Sequence, residues 1–160
     1  MGDPAGIGAE VILKAAAELA RRRSAPALAV VGDLDAMRAA ARRTRSDVPQ
    51  PREWCLGTKP LRPSDGLAVI CDGTLSSKAA EPGCPTVEGA DAAYRYILTG
   101  ARMALAGEVD ALVTAPINKE WLNRAGHHFP GHSELLAKLS GARLWRMMFA
   151  GDQLRLALVT

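Results

Sequence analysis

Apolar residues along the chain fall into two kinds of stretch: short continuous runs, and longer segments with a period near 3.6 residues. Leu28-Ala29-Val30-Val31-Gly32-Asp33 and Leu67-Ala68-Val69-Ile70-Cys71 are continuous, the pattern of strands buried in a parallel sheet. Ala111-Leu112-Val113 ends at Thr114, is followed by Ala115-Pro116, and reads as a buried strand stopped at a proline. Trp54-Cys55-Leu56 predicts one edge strand within a proline-broken loop from Ser46 to Ser64. Leu144 to Phe149 and Leu154 to Thr160 predict two more strands around the turn Ala150-Gly151-Asp152-Gln153.

The periodic segments predict helices. Asp3 is placed to cap a helix with Pro4 at its first position, and Ile7, Val11, Ile12, Ala15, Ala16 and Leu19 give an apolar face to about Ala20. A second helix follows Asp33 through Arg43, with Asp33 preferred as its cap over a catalytic acid. After the irregular stretch Gly73 to Pro85, Thr86 caps a long helix lined by Ala90, Ala93, Tyr94, Ile97, Ala101, Ala104 and Leu105 and ended at Gly107. A short helix runs to Ala125, and another, capped by Ser133, extends to Leu139 and stops at Gly141. Strands alternating with helices imply an α/β sandwich of three layers around a mixed, mostly parallel sheet.

Composition narrows the picture. The 48% hydrophobic content supports a core, but only 4% of the residues are aromatic, so Ala, Leu, Val and Ile must build it by close helix-on-sheet packing. Net charge is a modest +3, and the basic runs Arg21-Arg22-Arg23 and Arg42-Arg43-Thr44-Arg45 sit at helix ends, where cations complement the dipole. With no aromatic stacking set or binding motif beside them, nucleic acid is not the expected partner. Cys55, Cys71 and Cys84 are odd in number and widely spaced, which indicates neither a zinc site nor a disulfide framework. No apolar run approaches a membrane span and no signal peptide is present, so the default expectation is a cytoplasmic protein.

The chemistry gathers after Pro116. His127, His128 and His132 are the only histidines and fall within six residues, in the loop Gly126-His127-His128-Phe129-Pro130-Gly131-His132-Ser133-Glu134. Their spacing matches no metal motif, and a solvated loop is the plain alternative. His132 is the strongest candidate, because a helix starting at Ser133 would offer an anion free N–H groups, a hydroxyl and an imidazole together. Lys119 is a weaker candidate for anion binding or proton relay, against a solvated lysine at a helix start. Gly2, Gly6 and Gly8 do not have dinucleotide or Walker A spacing, and bring backbone close to a ligand or form a structural turn.

Two blocks carry a resemblance. The run T-A-P-I-N-K-E from Thr114, continuing through G-H-H-F-P-G-H-S-E-L-L-A to Ala137, is similar to the signature of the 4-hydroxythreonine-4-phosphate dehydrogenase (PdxA) family of vitamin B6 synthesis. So is M-G-D-P-A-G-I-G at Met1 to Gly8, a block that lies near the active-site cleft in that family; the resemblance covers all 160 residues. It implies that His132 and Ser133 bind the phosphorylated substrate. Ser133 stands where the family usually has Thr, which keeps the hydroxyl, and Ala9 where it usually has Pro, which loosens a helix start.

Further expectations follow from the resemblance. The fold should be isocitrate/isopropylmalate dehydrogenase-like, and incomplete here. A glycine loop with no strand before it, and an end within an apolar strand, lead to the expectation that residues 1–160 are a single α/β region, the N-terminal half of a larger two-domain enzyme. That enzyme would be a homodimer that oxidises 4-phosphohydroxy-L-threonine with NAD or NADP and a divalent metal (Zn, Mg or Co), with decarboxylation following. No metal ligands are expected within this chain, cofactor-binding residues are unassigned, and the 160 residues alone are expected to be inactive. The alternatives are a dehydrogenase of threonate or erythronate 4-phosphate, and an inactive truncated metabolite-binding domain.

Overall fold

The computed structural model describes residues 1–44, 47, 49–55 and 61–159. Three parallel strands make its centre: β1 (Ala29–Gly32), β2 (Pro51–Glu53) and β3 (Leu67–Cys71), in the order β1-β3-β2. Ala29 aligns with Ala68 and Gly32 with Cys71, while Pro51 aligns with Leu67 on the other side. Placing β3 in the middle buries both its faces. Leu67 and Val69 enter the main core, and the alternate residues Ala68 and Ile70 are buried too. That is why this run is continuous rather than alternating.

Helices α1 (Gly8–Ala20), α2 (Leu34–Arg43) and α3 (Val87–Leu105) pack on this sheet through small residues. Leu13 of α1, Met37 of α2 and Tyr96 of α3 join Leu67 and Val69 in one cluster, with Ala9, Ala16, Ala40 and Ala92 filling the close approaches. Leu13 and Met37 are fully buried, each contributing roughly 1.5–3 kcal/mol of transfer free energy. Asp33 caps α2 by accepting from Ala36 N at 2.8 Å, and its second oxygen accepts from Leu75 N at 3.2 Å. Thr86 caps α3 by accepting from Gly89 N at 3.0 Å. The chain is thus an α/β fold on a parallel sheet, and the helix over 34–43 and the strand over 67–71 form as the sequence predicts.

Several expectations are corrected. No strand forms at Ala111-Leu112-Val113 among the described residues; Val113 is 92% exposed, and none of the described strands pairs with the run. The strand expected at 54–56 lies instead at Pro51–Glu53, where it pairs with β3; Leu56, like Arg45 of the second basic run and Thr160, lies outside the described residues. The first helix starts at Gly8, not Pro4, because Asp3 folds residues 3–6 into a turn, its carboxylate accepting from Ala5 N and its carbonyl from Gly6 N. Ile7 and Val11 consequently face outward, and Leu13 takes the inward position. On α3, Tyr96 is buried while Leu105 is exposed.

The other α-helices and strands among the described residues are α4 (Lys119–Arg124), α5 (His132–Ser140) and an antiparallel ribbon of β4 (Met148–Ala150) and β5 (Arg155–Ala157). The ribbon is shorter than the predicted strands 144–149 and 154–160. It forms its own two-stranded sheet rather than making the parallel sheet mixed. Its side chains are exposed, including Met148, Phe149 and Leu156. No helix among the described residues is long and apolar enough to cross a membrane.

Candidate functional site

The two motif blocks, more than a hundred residues apart in sequence, close on each other. Asp3 N donates to Pro116 O at 3.0 Å. Gly2 has φ +76°, and a Cβ there would stand 2.4 Å from the same carbonyl oxygen. A Cβ at Gly8 would meet Met1 O at 2.4 Å and Ala115 Cβ at 3.3 Å. The glycines therefore serve contact between two stretches of this chain, which supports the structural reading of that loop.

From Pro116 the chain leads into α4, where the Asn118 side chain accepts from Trp121 N at 3.3 Å and Leu122 is buried beneath. The loop over residues 126–131 then returns to α3. His127 Nε2 lies 2.8 Å from Asp91 Oδ1, and its ring stacks on Tyr94 at 3.8 Å between centroids. Phe129 lies 6.0 Å from Tyr94, nearly parallel to it. Asp91 is itself paired with Arg95 at 3.3 Å, and Arg95 also reaches Asp72. His128 is exposed.

His132 is the first residue of α5, whose cap is Gly131 with no side-chain hydrogen bond. Ser133 is therefore inside the helix rather than its expected cap, since the extended Gly131 already ends the loop one residue earlier. Among the described residues, two buried side-chain polar atoms have no hydrogen-bond partner, Tyr96 Oη and His132 Nε2. Burial, followed by the nearby Lys119 cation, holds the His132 imidazole below its usual 6.5. Lys119 is exposed, with Nζ 3.9 Å from where a Gly131 Cβ would stand, and Glu134 Oε2 lies 3.4 Å from that point.

The structure thus brings Lys119 and His132 together at the start of a nine-residue helix. Helix starts carry N–H groups without intrahelical acceptors and a partial positive charge, which favour an anion. Ser133 lines an open apolar groove of about 390 Å³ with Ala101, Leu112, Leu136 and Trp145, a groove His132 does not line. Among the described residues no group of three or more His, Cys, Asp or Glu side chains converges as a metal site. Sequence reasoning missed Asp91 and Tyr94. Their spacing of three on a helix was the available signal, but Tyr94 reads equally as core.

The model of the family described as pyridoxal phosphate biosynthetic protein PdxA matches residues 9–160. A 4-hydroxythreonine-4-phosphate dehydrogenase of Geobacter metallireducens is 45% identical over the whole chain, which covers 47% of that relative. A D-threonate 4-phosphate dehydrogenase of Pectobacterium atrosepticum is 41% identical, over 97% of this chain and 47% of its own. The crystal structure of 4-hydroxythreonine-4-phosphate dehydrogenase from Klebsiella pneumoniae superposes with a TM-score of 0.81 at 35% identity, over 98% of this chain and 48% of that one. The chain spans about half the length of the relatives it matches. With the family model matching almost its whole length and both motif blocks joined in the fold, the chain belongs to the PdxA family.

Proposed function

We propose that the protein containing this chain is a dehydrogenase of a phosphorylated four-carbon hydroxy acid, 4-phosphohydroxy-L-threonine, on the route to pyridoxal 5'-phosphate. This chain would supply the phosphate-holding part of the site, as one α/β region of a larger two-domain enzyme. The observation that carries the reading is His132 Nε2, buried without a partner at a helix start beside Lys119. An unsatisfied buried polar atom costs roughly 1–3 kcal/mol, and a phosphate oxygen would satisfy it.

In this reading the chain's own residues bind and orient. The imidazole, held below its usual value, is mostly neutral near pH 7 in the free site. An arriving phosphate favours its protonated form, so binding draws a proton onto His132 and makes the hydrogen bond charge-assisted. The Ser133 hydroxyl and the first N–H groups of α5 donate to the same anion, Ser133 turning from the groove it lines. Lys119 adds positive charge as an anion-binding residue.

NAD or NADP would accept the hydride, and a divalent metal (Zn, Mg or Co) would polarise the alcohol. The described residues assemble no metal cluster. The β-keto acid formed by oxidation would lose carbon dioxide. The enzyme would act as a homodimer.

A second substrate is favoured by one observation: the relative named for D-threonate 4-phosphate is nearly as similar as that named for 4-hydroxythreonine 4-phosphate. The test is His132→Ala in the full-length protein, assayed for nicotinamide reduction with both acids. Loss of one charge-assisted hydrogen bond of about 1.5–3 kcal/mol raises KM about 10- to 150-fold while the fold stays intact. Unchanged KM and kcat with both acids would remove His132 from the site. The acid with the larger kcat/KM in the unmodified protein decides the substrate.

A further inference from the structure

His132 sits at the end of a loop whose backbone is broken by Gly126, Pro130 and Gly131, so its place must be set from elsewhere. The buried Leu135 anchors α5 one turn further on. The loop itself is held by α3. His127 donates its backbone N–H to Leu122 O at 3.0 Å, which fixes the loop's start on α4. Its ring then meets Asp91 at 2.8 Å and lies flat on Tyr94 at 3.8 Å, with 15° between the planes. Asp91 and Tyr94 are three residues apart and share one face of α3. The Asp91 carboxylate is held from behind by Arg95 at 3.3 Å. Phe129, two residues on, lies beside the same Tyr94, and Lys138 Nζ of α5 stands 5.3 Å from its ring.

We propose that His127, clasped by Asp91 and Tyr94, is a positioning residue that sets where His132 stands. This rests on the phosphate-site reading above, and extends it to a residue that does not itself touch the substrate. A hydrogen bond and a ring stack constrain the His127 ring in both direction and plane, and five residues later that constraint has reached the buried His132 Nε2. Misplacement of a binding group by about 1 Å lowers turnover up to about 100-fold, so loosening the clasp is expected to be felt at the anion.

The test uses the full-length protein and inorganic phosphate as the probe, by calorimetry, with variants His127→Ala, His127→Gln, His132→Ala and the double variant. His127→Ala is expected to weaken phosphate binding about tenfold or more, and His127→Gln, which keeps a donor within reach of Asp91, to recover most of it. Because His127 acts through His132, the double variant is expected to be no weaker than His132→Ala alone. A second readout is the NMR titration of the His132 ring, assigned by its loss in His132→Ala. With Lys119 beside it and Glu134 beside Gly131 both unchanged, release from burial moves its midpoint up toward 6.5 in His127→Ala. Additive losses in the double variant, or an unmoved His132 titration in His127→Ala, would overturn the proposal. Should His132→Ala bind phosphate normally, the phosphate-site reading fails and the His132 titration alone decides positioning. If His127→Ala does not fold, Asp91→Asn and His127→Gln carry the same two readouts.

Discussion

Replacing Gly2 by alanine tests the junction that joins the two motif blocks, and its cost can be worked from the structure. The backbone there has φ +76°, a conformation that costs an L-residue about 1 kcal/mol or more. The added Cβ would stand 2.4 Å from Pro116 O and 3.0 Å from Ala115 Cβ, too close for either to remain in place. Relief requires the two segments to part, straining or losing the Asp3 N to Pro116 O hydrogen bond of 3.0 Å. Overpacking of this kind costs about 1–3 kcal/mol and a net hydrogen bond about 1 kcal/mol, for a total of about 3–5 kcal/mol.

Gly83→Ala is the control. Its φ of +78° carries the same backbone strain, but nothing lies within 4 Å of its would-be Cβ, so the loss should be about 1–2 kcal/mol. Urea unfolding of both variants reads the difference. With an m value near 2 kcal/mol per M, the Gly2→Ala midpoint should fall about 1 M below that of Gly83→Ala, with m unchanged. Equal midpoints would refute the close approach. Because residues 115–118 lead into Lys119, Gly2→Ala should also weaken phosphate binding, whereas Gly83→Ala should not.

Two further outcomes are expected. Asp33→Ala removes both the α2 cap and the link to Leu75 N. A cap is worth roughly 0.5–2 kcal/mol and the second bond about 1 kcal/mol, so chemical denaturation should show a loss of about 1.5–3 kcal/mol, and Asp33→Asn a smaller one; a loss below about 0.5 kcal/mol would contradict the double role. For pH, the folded His132 pKa lies below its ordinary 6.5, so the unfolded chain takes up the proton first as pH falls. Its contribution to stability is present above 6.5 and declines as pH drops from there through the folded value. Unfolding free energies between pH 7.5 and 5 should therefore fall more steeply for the unmodified protein than for His132→Asn; parallel curves would show that the ring is not buried.

The sequence by itself determined the elements whose signals are local. Asp33 and Thr86 cap helices where they were expected to, and Leu67 to Cys71 forms a strand with the predicted bounds. Those signals are properties of adjacent residues: a capping oxygen within reach of a backbone N–H, or an apolar run too continuous for a half-exposed strand. The two motif blocks made the family legible for the same reason, since a motif is a local string. His132, too, stood out as the imidazole nearest a helix start.

What only the tertiary structure decided depends on which distant segment arrives next. Ala111-Leu112-Val113 has the composition of a strand but forms none among the described residues, because a strand needs a partner that its own residues do not supply. Trp54 reads as strand and its N–H does bond to Val69 O of β3, yet the register against β3 begins three residues earlier, at Pro51. Ile7 and Val11 carry the right period but the turn at Asp3 rotates them outward and Leu13 inward. The closure of Gly2 on Pro116, and the hold of Asp91 and Tyr94 on His127, join residues that no local pattern relates. Pairing, facing and contact are set by the whole fold, because a backbone group or a ring can satisfy itself against whichever partner packing brings within a few ångströms.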